Sequence, residues 1–178
     1  MLKTQEFWTK RNAEKLLIIQ ADSLVIKPID NSFFSYDYIG APWNPGRHVS
    51  TDFPVYSCTN RGELLRHQWE TIQFNPRLDP KWTYGNGGLS IRSSRCMAQI
   101  CKSEESFPEE PEDVFFSRHI RNYSNNIATL ETAERFSCES RYTESTGTHA
   151  SHLYLEACDQ GKIYERHFKS VMGLINSY

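Results

Sequence analysis

Along the chain, stretches with apolar residues at helical spacing alternate with short continuous apolar runs, a pattern that predicts an α/β domain. Residues 4–13 read as a helix, with Thr4 as cap and Phe7 and Trp8 to bury. Leu16-Leu17-Ile18-Ile19, opened by Lys15, is a continuous apolar run and predicts a strand buried on both faces of a mostly parallel sheet. It stops at Gln20-Ala21-Asp22-Ser23, and a polar cluster past the carboxyl end of such a strand is where open α/β sheets place ligands. Residues 33–43, FFSYDYIGAPW, end in Gly-Ala-Pro-Trp and read as a turn rather than a strand interior.

Residues 44–56 hold two prolines and a glycine without periodicity, which predicts a surface loop. Residues 60–74 read as a helix with Leu65, Trp69 and Ile72 on one face, closed by Pro76 and Pro80. Gly85-Asn86-Gly87-Gly88 then leads into an alternating strand, Leu89 to Arg92, and a helix over about residues 93–102. The prolines and acids of residues 108–113 open another helix, whose buried stripe is Phe116, Ile120 and Tyr123. Residues 130–140 read as a short helix running into a strand, and residues 142–152 as a polar loop. The last helix, about residues 161–176, is expected to bury Tyr164, Phe168, Val171 and Ile175. Without repeats or linkers, residues 1–178 read as a single domain.

Composition narrows the class. Hydrophobic residues make up 38% and aromatics 13% of the 178 residues, with a mean hydropathy of -0.62, which suits a folded domain with a polar, aromatic-lined cleft. The net charge of -2 and pI near 6.3 argue against a nucleic-acid partner. No apolar run approaches the length of a membrane span, and residues 1–14 carry no signal-peptide core, so the chain as written reads as cytoplasmic. The five cysteines (Cys58, Cys96, Cys101, Cys138, Cys158) lack C-x-x-C spacing and read as reduced thiols.

Several residues are candidates for chemistry, each with a plainer alternative. Asp22, at a strand end, suits a hard divalent cation that neutralises a diphosphate, or simply caps a turn. Gln20-Ala21-Asp22 has the spacing of an Asp-x-Asp element with an amide in the first place. Three glycines among residues 85–88 imply close approach of a ligand, or a tight turn. Glu112 and Asp113 open a helix, where acids are stabilised by the dipole; one of them could also deprotonate an acceptor hydroxyl. His149 and His152 lie in a polar loop, solvated or completing a metal site, and imidazole suits manganese better than magnesium.

Taken in order, EKLLIIQADS, YDYIGAPW, YGNGGLSIRS, EDVFFSRHI and FSCES followed by GTH resemble a fungal and bacterial family of glycosyltransferase-like domains with a GT-A-type core. The resemblance implies a Rossmann-like, mostly parallel sheet flanked by helices. It implies a sugar transferred from a nucleoside-diphosphate donor to a hydroxyl acceptor, assisted by a divalent cation, Mn2+ ahead of Mg2+. Asp22 would then hold metal and diphosphate, with Gln20 and Ser23 beside it, and His149 would join the metal. Asn86, Gly87 and Gly88 would form the floor under donor and acceptor. Asp113 would be the base of an inverting displacement, with Glu112 as second choice. Trp43 and Tyr84 would stack on sugar or base, or be core. Such enzymes carry roughly 100 residues before their Asp-x-Asp element, whereas 21 precede Asp22 here, so the amino-terminal nucleotide-binding strands are expected to be missing. The competing expectations are a non-catalytic carbohydrate-binding or scaffold relative, and a metal-dependent hydrolase using Asp22, His149 and Asp113. An oligomer that covers an open sheet edge is a further expectation.

Overall fold

The computed structural model describes residues 1–43, 85–106 and 111–175. The loop expected over residues 44–56, the helix over 60–74 and Tyr84 lie outside them. The described fold is mixed α/β, two small sheets flanked by helices.

The first sheet has the order β1 (Lys15–Ile19), β4 (Gly85–Ser93), β3 (Tyr38–Pro42), antiparallel throughout. This corrects the expectation of a mostly parallel sheet. Among the described residues β1 pairs on one side only, and its Ile19 is 53% exposed. A short apolar run carries no sign of its partner's direction, so it reads alike for a buried parallel strand and an edge strand. β3 also corrects a reading, since Gly40-Ala41-Pro42 is strand and not turn. Pro42 is tolerated because β3 is the other edge among the described strands and the register shifts between Gly40 and Pro42.

β4 alternates and is buried on both sides. Leu89 and Ile91 pack with Leu17, Ile39, Phe33 and Phe136. Phe33 belongs to a 3-10 turn, Asn31–Ser35, and Phe136 ends α4 (Leu130–Phe136). Across the sheet, Tyr38, Leu16 and Ile18 join Trp8 of α1 (Gln5–Thr9), Met97 and Ile100 of α2 (Ser94–Ser103), and Phe115 and Phe116 of α3 (Glu112–His119). Trp8 is 1% exposed, donates from Nε1 to the Leu2 carbonyl at 2.6 Å, and meets Phe116 edge-on. Burying such an aromatic is worth about 2–3 kcal/mol. The Ser93 hydroxyl caps α2 by accepting from Cys96 N. The Thr4 side chain makes no cap; its hydroxyl donates to the Met1 carbonyl.

The second sheet has the order β2 (Ser23–Val25), β6 (Gly147–His149), β5 (Ser137–Cys138), the first pair antiparallel and the second parallel. The polar loop expected over residues 142–152 thus contains β6 and a short helix, α5 (Ser151–Tyr154). Gly-Thr-His is too short to show alternation. The long helix α6 (Ala157–Ile175) packs on this sheet through Ile163, which is fully buried with Ile26, Cys138 and Leu155. Tyr164 and Phe168, expected inside, are 51% and 64% exposed. The apolar stripe reads one position away from the buried one, and the side chains of Val171 and Ile175 lie outside the described set. Cys96, Cys101, Cys138 and Cys158 are free thiols. Among the described residues no helix is long and apolar enough to cross a membrane.

Candidate functional site

The two sheets meet at the turn Gln20–Asp22, which leaves β1 and enters β2. The Gln20 amide and the Ser23 hydroxyl both donate to the Gly88 carbonyl, at 2.8 and 2.9 Å. β2 carries Ser23 opposite His149 at the end of β6. Ala150 follows with φ of 45°, a left-handed conformation costly for a residue with a Cβ, and its amide donates to the Asp22 carbonyl at 3.1 Å. Residues from three separate strands and one turn are so brought to a single corner.

His149 stands at its centre, 7% exposed. Its Nε2 lies 3.1 Å from Gln20 Oε1 and 3.2 Å from Asp22 Oδ1. Its Nδ1 lies 3.4 Å from Glu139 Oε1, an ion-pair contact too long for a good hydrogen bond, and has no hydrogen-bond partner among the described residues. Burial disfavours the imidazolium, yet Glu139, Asp22 and Asp113 together outweigh that and raise the His149 pKa above its ordinary value. Asn86 fixes Glu139: its Nδ2 donates to Glu139 Oε1 and its Oδ1 accepts from Gly88 N, both at 2.6 Å.

The glycines are explained by what lies against them. A Cβ on Gly88 would overlap Cδ2 and Nε2 of His149, and one on Gly87 would overlap Glu112 Oε1 and Arg92 Nη2. The tetrad is the start of β4 and not a turn before it. Beneath Gly87, the fully buried Arg92 holds Glu112 through both carboxylate oxygens, with Nη2 to Oε1 at 3.0 Å. Its guanidinium lies 5.2 Å from the centroids of both the Tyr38 and Phe116 rings. Asp113 is next along α3. Its Oδ1 accepts from Val114 N at 2.8 Å. Burial, followed by the neighbouring Glu112, pushes its pKa up to about 6.

Gln20, Asp22, Ser23, Asn86, Gly87, Gly88 and His149 therefore adjoin one another, with Glu112 against Gly87 and Asp113 close enough to act on the His149 charge. Trp43 is 4% exposed, packed in the core and lining a small cavity with Pro42, Ser137 and Cys138. Its burial favours a packing role over a face open for stacking. His152 is exposed on α5. Arg92 and Glu139 were not singled out from sequence, although both stand inside quoted motifs; a lone Arg or Glu there has no spacing that announces a partner.

Among the described residues no three His, Cys, Asp or Glu side chains form a group that could hold a metal ion. The donor set at this corner is instead one carboxylate, one imidazole and one amide oxygen. Such a mixed N,O set suits Mn2+. Adjacent corners of an octahedral ion with bonds of roughly 2.1 Å lie about 3.0 Å apart, near the 3.1 and 3.2 Å that separate His149 Nε2 from its two oxygens. Those separations suit neighbouring ligands of a divalent cation and equally the direct hydrogen bond and ion pair that His149 makes.

Residues 1–153 match the profile of a family described as "Protein of unknown function (DUF5672)". No curated protein and no solved structure matches the chain.

Proposed function

We propose that this chain, which belongs to the DUF5672 family, transfers a sugar from a nucleoside-diphosphate donor to a hydroxyl acceptor, on a GT-A-like core. The observation that carries the reading is the convergence of Gln20 Oε1 and Asp22 Oδ1 on His149 Nε2. In the neutral tautomer that carries its proton on Nδ1, these are three acceptors facing one another, which a cation relieves. A divalent cation held there, Mn2+ ahead of Mg2+, supplies positive charge against the diphosphate leaving group.

The remaining chemistry belongs to the chain's own side chains. Asp113, with its pKa pushed up to about 6, is ionised at neutral pH yet basic enough to take the proton of an acceptor hydroxyl. Glu112, the second choice, is engaged by Arg92 through both oxygens, and so serves the floor rather than the acceptor. A base at Asp113 gives inversion at the anomeric carbon. Gly87 and Gly88 let the charged side chains approach the strand from either side.

Titration calorimetry tests the reading, using uridine and guanosine diphosphate sugars with and without Mn2+. Binding that needs Mn2+ and disappears in Asp22→Ala is the expected result. Folded protein that binds no donor overturns it, and leaves a non-catalytic relative.

A further inference from the structure

The geometry points to Glu139 as a positioning residue that turns the His149 imidazole so that Nε2, and not Nδ1, faces Asp22 and Gln20. The inference rests on the reading of this corner as a cation site. His149 is a side chain with two usable ring nitrogens, and a half-turn of the ring exchanges Nδ1 with Cδ2 and Nε2 with Cε1. Gln20 Oε1 and Asp22 Oδ1 favour the observed orientation, since the half-turn would set Cε1 where Nε2 now faces them, but neither meets Nδ1. A carboxylate on the far side adds to that selection and fixes the tautomer, since at 3.4 Å its charge attracts the proton to Nδ1 and keeps Nε2 toward Gln20 and Asp22.

Glu139 is suited to this task by its own restraint. It is 5% exposed, and Asn86 Nδ2 donates to the same Oε1 that faces His149 Nδ1. Asn86 is itself tied to Gly88 N, and Gly88 O receives Gln20 N and Ser23 Oγ. The contacts close a ring: Gly88, Asn86, Glu139, His149, Gln20 and Gly88 again. The Cδ2–Nε2 edge of the imidazole lies against Gly88 where a Cβ would stand. Asn86 thus spends both halves of its carboxamide inside the protein, which makes it a second positioning residue acting through Glu139.

Two readouts on Glu139→Ala, Glu139→Gln and Asn86→Ala test this. The first needs neither metal nor donor. The nuclear Overhauser contact between the His149 Cδ2 proton and the Gly88 α-protons should be strong in wild type, lost or weakened in Glu139→Ala and Asn86→Ala, and largely kept in Glu139→Gln, whose Oε1 still accepts. The second is Mn2+ affinity from the free-ion paramagnetic resonance signal, which should fall roughly 10- to 100-fold in Glu139→Ala and less in Glu139→Gln. An unchanged proton contact in folded Glu139→Ala and Asn86→Ala overturns the positioning role. Wild type that binds no Mn2+ while Glu139→Ala loses the contact overturns the cation reading and leaves the orienting of His149 standing. Should Glu139→Ala not fold, Glu139→Gln and Asn86→Ala carry both readouts.

Discussion

The His149 imidazole occupies the space in which Gly88 would carry a side chain, so that the ring rests on the strand backbone itself. This contact joins the start of β4 to the imidazole at the centre of the corner. Gly88→Ala should displace the ring from Gln20 and Asp22, because a buried ring held on both edges cannot retreat freely. Overpacking of this kind costs about 1–3 kcal/mol. Thermal unfolding should show a fall of several degrees, and Mn2+ affinity should drop at least as far as in Asp22→Ala. Unchanged affinity in Gly88→Ala would show that His149 does not take part in cation binding.

Arg92 and Glu112 form the second fixed pair. Arg92 is fully buried while Glu112 keeps 18% of its side chain exposed. Removing the carboxylate leaves a buried guanidinium with, among the described residues, only Ser90 Oγ and the Gly87 carbonyl to accept from it. Glu112→Ala should therefore cost up to about 3 kcal/mol, whereas Arg92→Met with Glu112→Leu should recover much of that loss, as replaced buried pairs often do. Chemical denaturation of the three variants measures this. A double variant less stable than Glu112→Ala alone would show that Arg92 stabilises the strand by contacts other than the pair.

The pH dependence of Asp113 has a definite sign. Its carboxyl is raised from 3.8 to about 6, chiefly by burial and then by Glu112. The folded state therefore holds this proton more tightly than the unfolded chain. The resulting stability is fully present below about pH 4 and is lost as pH rises through about 6. Asp113→Asn removes the titrating group and keeps an oxygen for Val114 N. Relative to wild type it should be more stable at neutral pH by about 1–2 kcal/mol, after discounting for the partly open side chain, and the gap should close toward pH 4. Melting temperatures across that window test it, and a constant gap would refute the shift. On the proposed reading the same variant retains donor binding and loses transfer.

Local signals were legible where one element suffices to create them. The helix expected over about residues 93–102, the acid-rich start of α3 and the apolar run of β1 were each visible in the residues that form them. So was the gathering of Gln20, Asp22, Asn86, Gly87, Gly88 and His149, through motifs in series. Pairing direction was not, because Leu16–Ile18 carry no mark of whether β4 runs with or against them. The purpose of the glycines was half legible. Close approach was foreseen, but the approaching groups are Arg92, Glu112 and His149 of the chain itself. Glu139 was hidden for the same reason: its meaning lies in Asn86, 53 residues away, and in His149 across β6.

The helix α6 carries the last contrast, between two residues of one apolar pattern. Ile163 is fully buried among Ile26, Cys138 and Leu155, while Phe168 is 64% exposed five residues on. Truncating a buried isoleucine removes apolar contact and leaves a cavity that the second sheet cannot fill, so Ile163→Ala should cost about 2–4 kcal/mol. Phe168→Ser removes a ring that already faces water, and the change should stay within about 0.5 kcal/mol. Because Cys138 on β5 lies beside Ile163, and β5 runs on to Glu139, the first variant should also weaken Mn2+ binding through a displaced Glu139. The second variant should leave it unaltered. Denaturation and Mn2+ titration of the pair separate these outcomes. A large loss of stability in Phe168→Ser would mean that α6 packs by the stripe read from sequence, with Tyr164 and Phe168 inside, and that the burial of Ile163 is the lesser contact.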